Sequence, residues 1–417
     1  MSTVTRVALE TLGCKLNQAE AESLVRELEA AGFCLVEPSE RCDIYVLNAC
    51  TVTATADAKA RHLLRLAHRL SPQAVLTVLG CYGESIERLM RSIPEVQVLL
   101  CRNKKELVLR LQELGYNGAL APSSFGRRTR TFVKAQEGCR NFCTYCIVPF
   151  VRGREKSYPP SVITGEVAAR AGEGYREAVL TGTEIGAYRY RRLGLEGLLR
   201  RILRETDISR LRLSSLQPTE VTAGLLKLWG DGRLCPHFHL SLQSGSDSVL
   251  QRMGRRYDVA GYQEAVALIR NTVPEAAITT DIIVGFPGES GEEFEASYRL
   301  CASLGFSRTH VFSFSPRPGT AAAVMPEQVT DGVKRERSQR MLALAGTSAA
   351  AFCARFLGTV LTVLWEAEDQ SLLVGYTGNY IRVYAAVRPG LVNKLTAVRL
   401  IKAYRDGVWG EIIKEEL

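Results

Sequence analysis

The stretch GCRNFCTYCIVP carries three cysteines, Cys139, Cys143 and Cys146, spaced C-x3-C-x2-C. Soft thiolates at this density suit iron-sulfur ligation, because three converging sulfurs can hold three corners of a cuboidal 4Fe-4S cluster. The fourth iron then has no local ligand, and an open metal position is where a substrate or cofactor coordinates. A zinc site completed by a distant Cys or His, or three core thiols, would use the same residues differently. A second set is spread out: Cys14, Cys50 and Cys81 each come at the end of a predicted strand, 36 and then 31 residues apart. Side chains at the carboxyl edge of neighbouring parallel strands meet in one crevice. These thiols either hold a second cluster, again one ligand short, or are small core residues. Cys101, ending a fourth predicted strand, competes with them. Cys34, Cys42, Cys235, Cys301 and Cys353 read as buried thiols.

The elements that must deliver these groups follow from periodicity. Residues 5 to 116 alternate short β-branched runs (RVALETLGC, CDIYVLNAC, QAVLTVLGC, VQVLLC) with helical patterns, which is βαβ material and implies a mainly parallel sheet. NGALAPSSFGRRTR has the composition of a linker. Six further strands follow between about 130 and 350: TFVKAQEG, EAVLTGTE, RLRLSSLQ, FHLSLQSG, AITTDIIVG and RTHVFSFS. Six βα units fall short of the eight of a closed barrel, so the expectation is a partial (β/α)6 barrel with its site at the strands' C-terminal ends. From about 355 onward the pattern is β-rich, consistent with a small antiparallel β-barrel. The fold class is α/β, with expected domains at 1–117, 131–352 and 353–417 and a linker at 118–130.

Among 417 residues the net charge is +9, and residues 102 to 156 hold twelve Lys or Arg against four Glu. That concentration, interleaved with Phe125, Phe132, Phe142 and Tyr145, is either a nucleic-acid footprint or a solvated linker. The N-terminus lacks a basic segment leading into an apolar one, and no apolar run reaches about 18 residues. A cytoplasmic, non-membrane setting is expected, where reduced cysteines serve metals or catalysis.

The motif CRNFCTYC resembles the cluster motif of radical S-adenosylmethionine enzymes. With TLGCKLNQAEAE, NACTVTATAD and GCYGE before it and LSLQSGSDSVLQRM, TDIIVGFPGE and GYTGNYIRVY after it, the chain resembles a methylthiotransferase from end to end, including a TRAM-like C-terminal barrel. NACTVT and TLGCKLNQAEAE are closest to the branch acting on threonylcarbamoyladenosine in tRNA. The resemblance implies two 4Fe-4S clusters, an auxiliary one on Cys14, Cys50 and Cys81 and a radical-generating one on Cys139, Cys143 and Cys146. Cys101 is left out, since it falls where the family usually has glycine. S-adenosylmethionine would coordinate the open iron of the second set, and its reductive cleavage would give a 5′-deoxyadenosyl radical that removes hydrogen from C2 of adenine, where a methylthio group is then inserted. The chemistry is carried by the clusters, so no side chain is assigned as catalytic.

For cofactor contacts the resemblance points to TGTEIG, with Gly182 and Glu184 near the cofactor's amino group; an ordinary strand-to-helix turn is the plainer reading. Gln243, Ser244 and Asp281 are candidates from strand-end position. GFPGE lacks the Lys-Ser/Thr ending of a phosphate loop and reads as a turn. His237 and His239 share one strand face and read as barrel-lining histidines rather than metal ligands. Arg127, Arg128 and Arg130 are the candidate phosphate contacts for a tRNA anticodon arm. An electron donor of flavodoxin or ferredoxin type is implied. Competing functions are methylthiolation of isopentenyladenosine in tRNA or of a ribosomal protein, and a non-catalytic metal-stabilised RNA-binding protein. Residues 355 to 417 carry eight basic and seven acidic residues, a balance that argues mildly against a basic protein substrate.

Overall fold

The computed structural model describes residues 4–50, 54–81, 98–100, 104–116, 129–369 and 371–414. They form two compact units, residues 1–127 with 146–154 and residues 128–145 with 155–417. In the first unit, β1 (Arg6–Thr11), β2 (Cys34–Val36), β3 (Ile44–Cys50), β4 (Val75–Cys81) and β5 (Val98–Leu100) form one parallel sheet in the order β2-β1-β3-β4-β5. Strand alternation splits its core in two. Val7, Leu9, Ile44 and Val46 meet Leu24, Leu28, Leu107 and Leu111 of the helices Lys15–Ala30 and Lys104–Glu113 on one face. Ala8, Tyr45, Leu47 and Ala49 meet Ala60, Leu63, Leu64 and Ala67 of helix Ala54–Leu70 on the other. The edge strand β2 was not among the expected strands, because three residues are too few to show alternation.

The second unit contains the six expected barrel strands: β6 (Arg130–Lys134), β7 (Glu177–Thr181), β8 (Arg210–Leu213) continued as β9 (Ser215–Leu216), β10 (His237–Leu240), β11 (Ala277–Val284) and β12 (Arg308–Ser313). They pair in parallel as β8-β7-β6 and β9-β10-β11-β12. Val133, Leu180, Leu211, Leu213, Phe238, Ile278 and Ile282 face the surrounding helices in one large core. Alternation therefore turns Glu177, Arg210, Arg212, His237, His239, Thr279 and Asp281 to the inner face.

The C-terminal strands β13 (Val360–Asp369), β14 (Leu372–Thr377), β15 (Arg382–Ala386), β16 (Leu395–Tyr404) and β17 (Gly407–Lys414) close a barrel around Trp365 in the order β13-β14-β15-β17-β16. The expected small antiparallel barrel is present, with four antiparallel pairings and one parallel seam between β15 and β17, through Val383↔Val408 and Tyr384↔Trp409. The β16–β17 hairpin brings the last strand back beside β15 in the same direction. This barrel shares a compact unit with the six-stranded one rather than standing apart at residue 353, and Ala277, Phe352 and Phe356 belong to its core. The segment 146–154, expected inside the central domain, groups with the first unit, where Arg152 bonds Glu20 (2.9 Å) and Asn17 (2.6 Å). Most of the expected linker lies outside the described residues.

A buried ionic node joins the two barrels. Glu177 is 1% exposed and bonds Arg212 at 2.7 Å, with Arg130 and Arg210 at 4.0 and 3.9 Å. Arg210 donates to the carbonyls of Tyr376 and Thr362, and Arg212 to that of Gly378. Burial alone would raise the Glu177 carboxyl, yet the guanidinium groups hold it down to about 2. Its stabilisation is thus present above the ordinary carboxyl range and lost as pH falls toward about 2. Glu177→Ala, which leaves buried cations uncompensated, is expected to cost about 3–5 kcal/mol of stability. Urea unfolding followed by circular dichroism measures this, and Glu177→Gln should flatten the acid arm of the midpoint-versus-pH curve.

Candidate active site at the mouth of the barrel

Just past β6 the chain passes Gln136 and enters the cysteine loop at Gly138, whose φ of 75° is in the left-handed region. Gln136 is fully buried; its Nε2 donates to the Gly138 carbonyl (2.8 Å) and its Oε1 accepts from the Glu184 amide (3.0 Å). It therefore ties the start of the loop to the turn after β7. Gly182 is needed there, since a Cβ would come within 2.8 Å of Gln136 Oε1. That explains Gly182 by backbone approach, independently of any cofactor. Thr144 pins the middle of the loop, its amide donating to the Met253 carbonyl and its hydroxyl to that of Arg252.

Cys139 and Glu184 are brought together: Cys139 Sγ lies 3.4 Å from Glu184 Oε2, and Asn141 Nδ2 donates to both Glu184 oxygens at 2.8 Å. Burial, with Glu184 alongside, pushes the Cys139 thiol up to about 12, although the Asn141 amide bond opposes this. Arg255 Nη1 donates to Cys143 Sγ at 3.2 Å, its Nε to the Tyr257 hydroxyl at 3.0 Å, and its Nη2 to Gln217. Asn141, Cys143, Glu184, Gln217, Glu220 and Arg255 line one cleft. Glu220 enters it because residue 186 is glycine; a Cβ there would sit 1.8 Å from the Glu220 carboxyl.

Gln243 does not line this cleft. It is nearly buried with φ of 67°, a strained conformation for a side-chain-bearing residue, and is held through its backbone by Asp281 and Ile283. Ser244 is turned toward helix Gly291–Leu304, 3.2 Å from Ser297 Oγ, so its candidacy for cofactor contact gives way to a packing role. Arg130 is corrected likewise: its guanidinium reaches Glu366 (2.6 Å) and the Tyr380 hydroxyl, inside the protein rather than toward phosphate. Arg127 and Arg128 lie outside the described residues, as do Phe125 and Cys101. Phe132 is buried, Tyr145 packs edge-on to Phe286, and Phe142 is exposed. The reading of GFPGE as a turn fits Gly285 and Gly288, both at φ of 71°.

In the first unit the strand order reverses between β1 and β3, the crevice where sheets of this order bind ligands. Cys14 follows β1, Cys50 ends β3, and Cys50 and Cys81 share a rung of the β3–β4 ladder. Gly13, at φ of 117°, lets the Cys14 turn lie on Cys50: a Cβ would meet Cys50 Cβ at 2.5 Å. Buried Asn17 secures both strand ends, donating to the carbonyls of Leu12 and Ala49 at 2.9 Å each.

The Radical SAM superfamily pattern matches residues 133–301, and the pattern described as uncharacterized protein family UPF0004 matches residues 6–101. The threonylcarbamoyladenosine tRNA methylthiotransferase MtaB of Bacillus subtilis is 33% identical over 99% of this chain and 98% of its own. That of Chlamydia pneumoniae is 35% identical over 97% of both. The chain belongs to the radical SAM tRNA methylthiotransferase family. A tRNA-2-methylthio-N(6)-dimethylallyladenosine synthase of Pelotomaculum thermopropionicum is 33% identical over 94% of each chain. Among solved structures, the radical S-adenosylmethionine methyltransferase TsrM of Kitasatospora setae shares the fold, with a TM-score of 0.57, 15% identity and 77% of each chain covered. This methylthiotransferase accordingly uses S-adenosylmethionine and 4Fe-4S clusters. Its residues fit such groups: Cys143 of the loop borders the cleft and accepts from a guanidinium, Cys139 lies beside the cleft's Glu184, and the neighbouring strands β3 and β4 end in Cys50 and Cys81.

Sequence reasoning missed Gln136, Asn141, Glu220, Arg255 and Tyr257. Gln136 and Asn141 flank the cysteine motif and could have been found by proximity; the others reach the cleft only through the fold. Burial first, and then the charge and hydrogen bonding of the neighbouring Glu184, raise the Glu220 carboxyl to about 8 against the opposing Gln217 amide. Glu220→Gln should therefore become progressively more stable relative to wild type as pH rises from about 4.5 to about 8. Infrared spectroscopy near neutral pH should show a carboxylic-acid C=O band in wild type that this variant lacks.

Proposed function

We propose that this methylthiotransferase inserts a methylthio group at C2 of N6-threonylcarbamoyladenosine next to the anticodon of tRNA. The observation that carries the reading is the near-full-length identity with relatives that bear this activity in their names. In this reading Cys139, Cys143 and Cys146 hold the cluster that works with S-adenosylmethionine, and Cys14, Cys50 and Cys81 hold the auxiliary one. Bound there, the two groups supply one-electron chemistry able to remove hydrogen from an inert adenine carbon and the sulfur that replaces it. The chain's own residues orient and exclude water. Glu184 accepts from the cofactor's ammonium, Gln136 holds Glu184 in place, and protonated Glu220 keeps a second negative charge out of the cleft. Arg127 and Arg128 remain the candidate phosphate contacts. The setting is cytoplasmic, and the electron donor is a small protein of flavodoxin or ferredoxin type.

Mass spectrometry of tRNA nucleosides from a deletion strain tests the substrate. Loss of methylthio-threonylcarbamoyladenosine supports the reading, whereas loss of methylthio-isopentenyladenosine alone overturns it in favour of the other tRNA branch. Arg255 adds a check on the cysteine assignment. A cationic hydrogen bond to a ligand sulfur favours the reduced cluster, so Arg255→Met should make the midpoint of one cluster more negative in an anaerobic redox titration followed by electron paramagnetic resonance.

A further inference from the structure

Three inner-face side chains of the barrel have no part in the function proposed above. His239 on β10, Asp281 on β11 and His310 on β12 offer one ligand atom each, all within 4.8 Å of one another. Asp281 and His310 share a rung of the β11–β12 ladder, and His239 pairs with Thr279, two residues earlier on the same face of β11. His239 Nε2 lies 3.1 Å from Asp281 Oδ2. Tetrahedral ligation at about 2.0 Å per bond needs donor atoms about 3.3 Å apart. That pair is already near this spacing, and the ligand atom of exposed His310 lies within 4.8 Å of both.

The surroundings prepare the site. His239 Nδ1 is 2.9 Å from Thr279 Oγ1, and the same hydroxyl is 3.2 Å from His237 Nε2. Thr279 can therefore accept from His239 Nδ1–H and donate to His237, leaving the His239 Nε2 lone pair aimed at the Asp281 carboxylate. His239 Nε2 and Asp281 Oδ2, 3.1 Å apart, share either the proton of an ordinary Nε2–H hydrogen bond or, in the tautomer that Thr279 then accepts from, a metal ion. Holding the second nitrogen of a histidine through an outer partner is how proteins orient metal-binding imidazoles. The exposure of His310 supplies an entry path.

We propose that His239, Asp281 and His310 form a divalent-metal site on the inner wall of the barrel, of the zinc or non-haem iron(II) class, with coordination positions left for an oxygen-donor ligand. Two imidazoles and one carboxylate suit those ions, and the set contains no thiolate, so it is chemically distinct from the cysteine sites. The plain alternative is a proton shared by His239 and Asp281.

The full chain, with its clusters reconstituted anaerobically, is incubated with Zn2+, desalted and analysed for zinc and iron, and zinc-edge X-ray absorption gives the ligand shell. One zinc per chain with only nitrogen and oxygen neighbours is expected. Asp281→Asn, which keeps the shape of the carboxyl, and His310→Ala, at an exposed position, should each lose the zinc with iron content unchanged. Thr279→Val should weaken zinc binding about 10–100-fold. Zinc retained equally by wild type and His310→Ala, no zinc in wild type, or sulfur in the zinc shell overturns the proposal.

Discussion

A carboxylate enclosed by three guanidinium groups closes the floor of the six-stranded barrel. Glu177 on β7 draws in Arg212 and Arg210 from β8 and Arg130 from β6, so three neighbouring strands are held by one charge centre. One carboxylate cannot satisfy three cations in a desolvated site. The remaining donors are met by Glu366 and by the carbonyls of Thr362, Tyr376 and Gly378, all from the C-terminal barrel. The smaller barrel is thus the partner that makes burial of those arginines tolerable, which is why the two form one compact unit. Tyr380 reinforces the joint, with the Arg212 guanidinium 4.0 Å from its ring centroid.

Above that floor the inner wall stays polar all the way to the cysteine loop. Tyr380 packs on His237, Thr279 bridges His237 and His239, and His239 meets Asp281. Ser241 touches Asp281 through its hydroxyl and accepts from Tyr257 through its carbonyl, and Tyr257 contacts Arg255, which donates to Cys143. Buried polar groups of this kind are stable only when each has a partner. The contacts therefore fix side-chain orientations from one end of the wall to the other. The loop that carries Cys139 and Cys143 is held by this network, by Gln136 and Thr144, and by Tyr145 packed on the cluster of Val249, Met253, Phe286 and Phe314.

What the sequence revealed depended on how local the cause was. The parallel sheet, the six barrel strands and the C-terminal barrel were legible because hydrophobic alternation is a short-range signal. The cysteine sets were legible because soft ligands at metal spacing or at successive strand ends have few other uses. β2 was too short to show a period, and the parallel β15–β17 seam depends on where a late hairpin lands. Glu220 and Arg255 lie 81 and 112 residues beyond Cys139 and Cys143, respectively. Nothing in their neighbourhoods marks them until the strands are assembled. His239 was taken as lining and Asp281 as a strand-end candidate, since their convergence with His310 needs the β10-β11-β12 order.

In the basic stretch a charge tally hides which residues are already paired within the protein. Lys134 pairs with Glu137, Arg140 with Glu155 and Arg110 with Glu106, acids already inside the tally. Arg130 and Arg152 instead recruit Glu366 and Glu20 from elsewhere in the chain, which lowers the local excess below the count. Long-range attraction of a polyanion depends on net charge and survives such pairing, whereas each phosphate contact needs a cation at the surface and adds to the salt dependence. Steering and gripping therefore belong to different residues. The arginines anchored in ion pairs shape the scaffold, and a phosphate contact in this stretch would need a cation that the protein does not itself enclose.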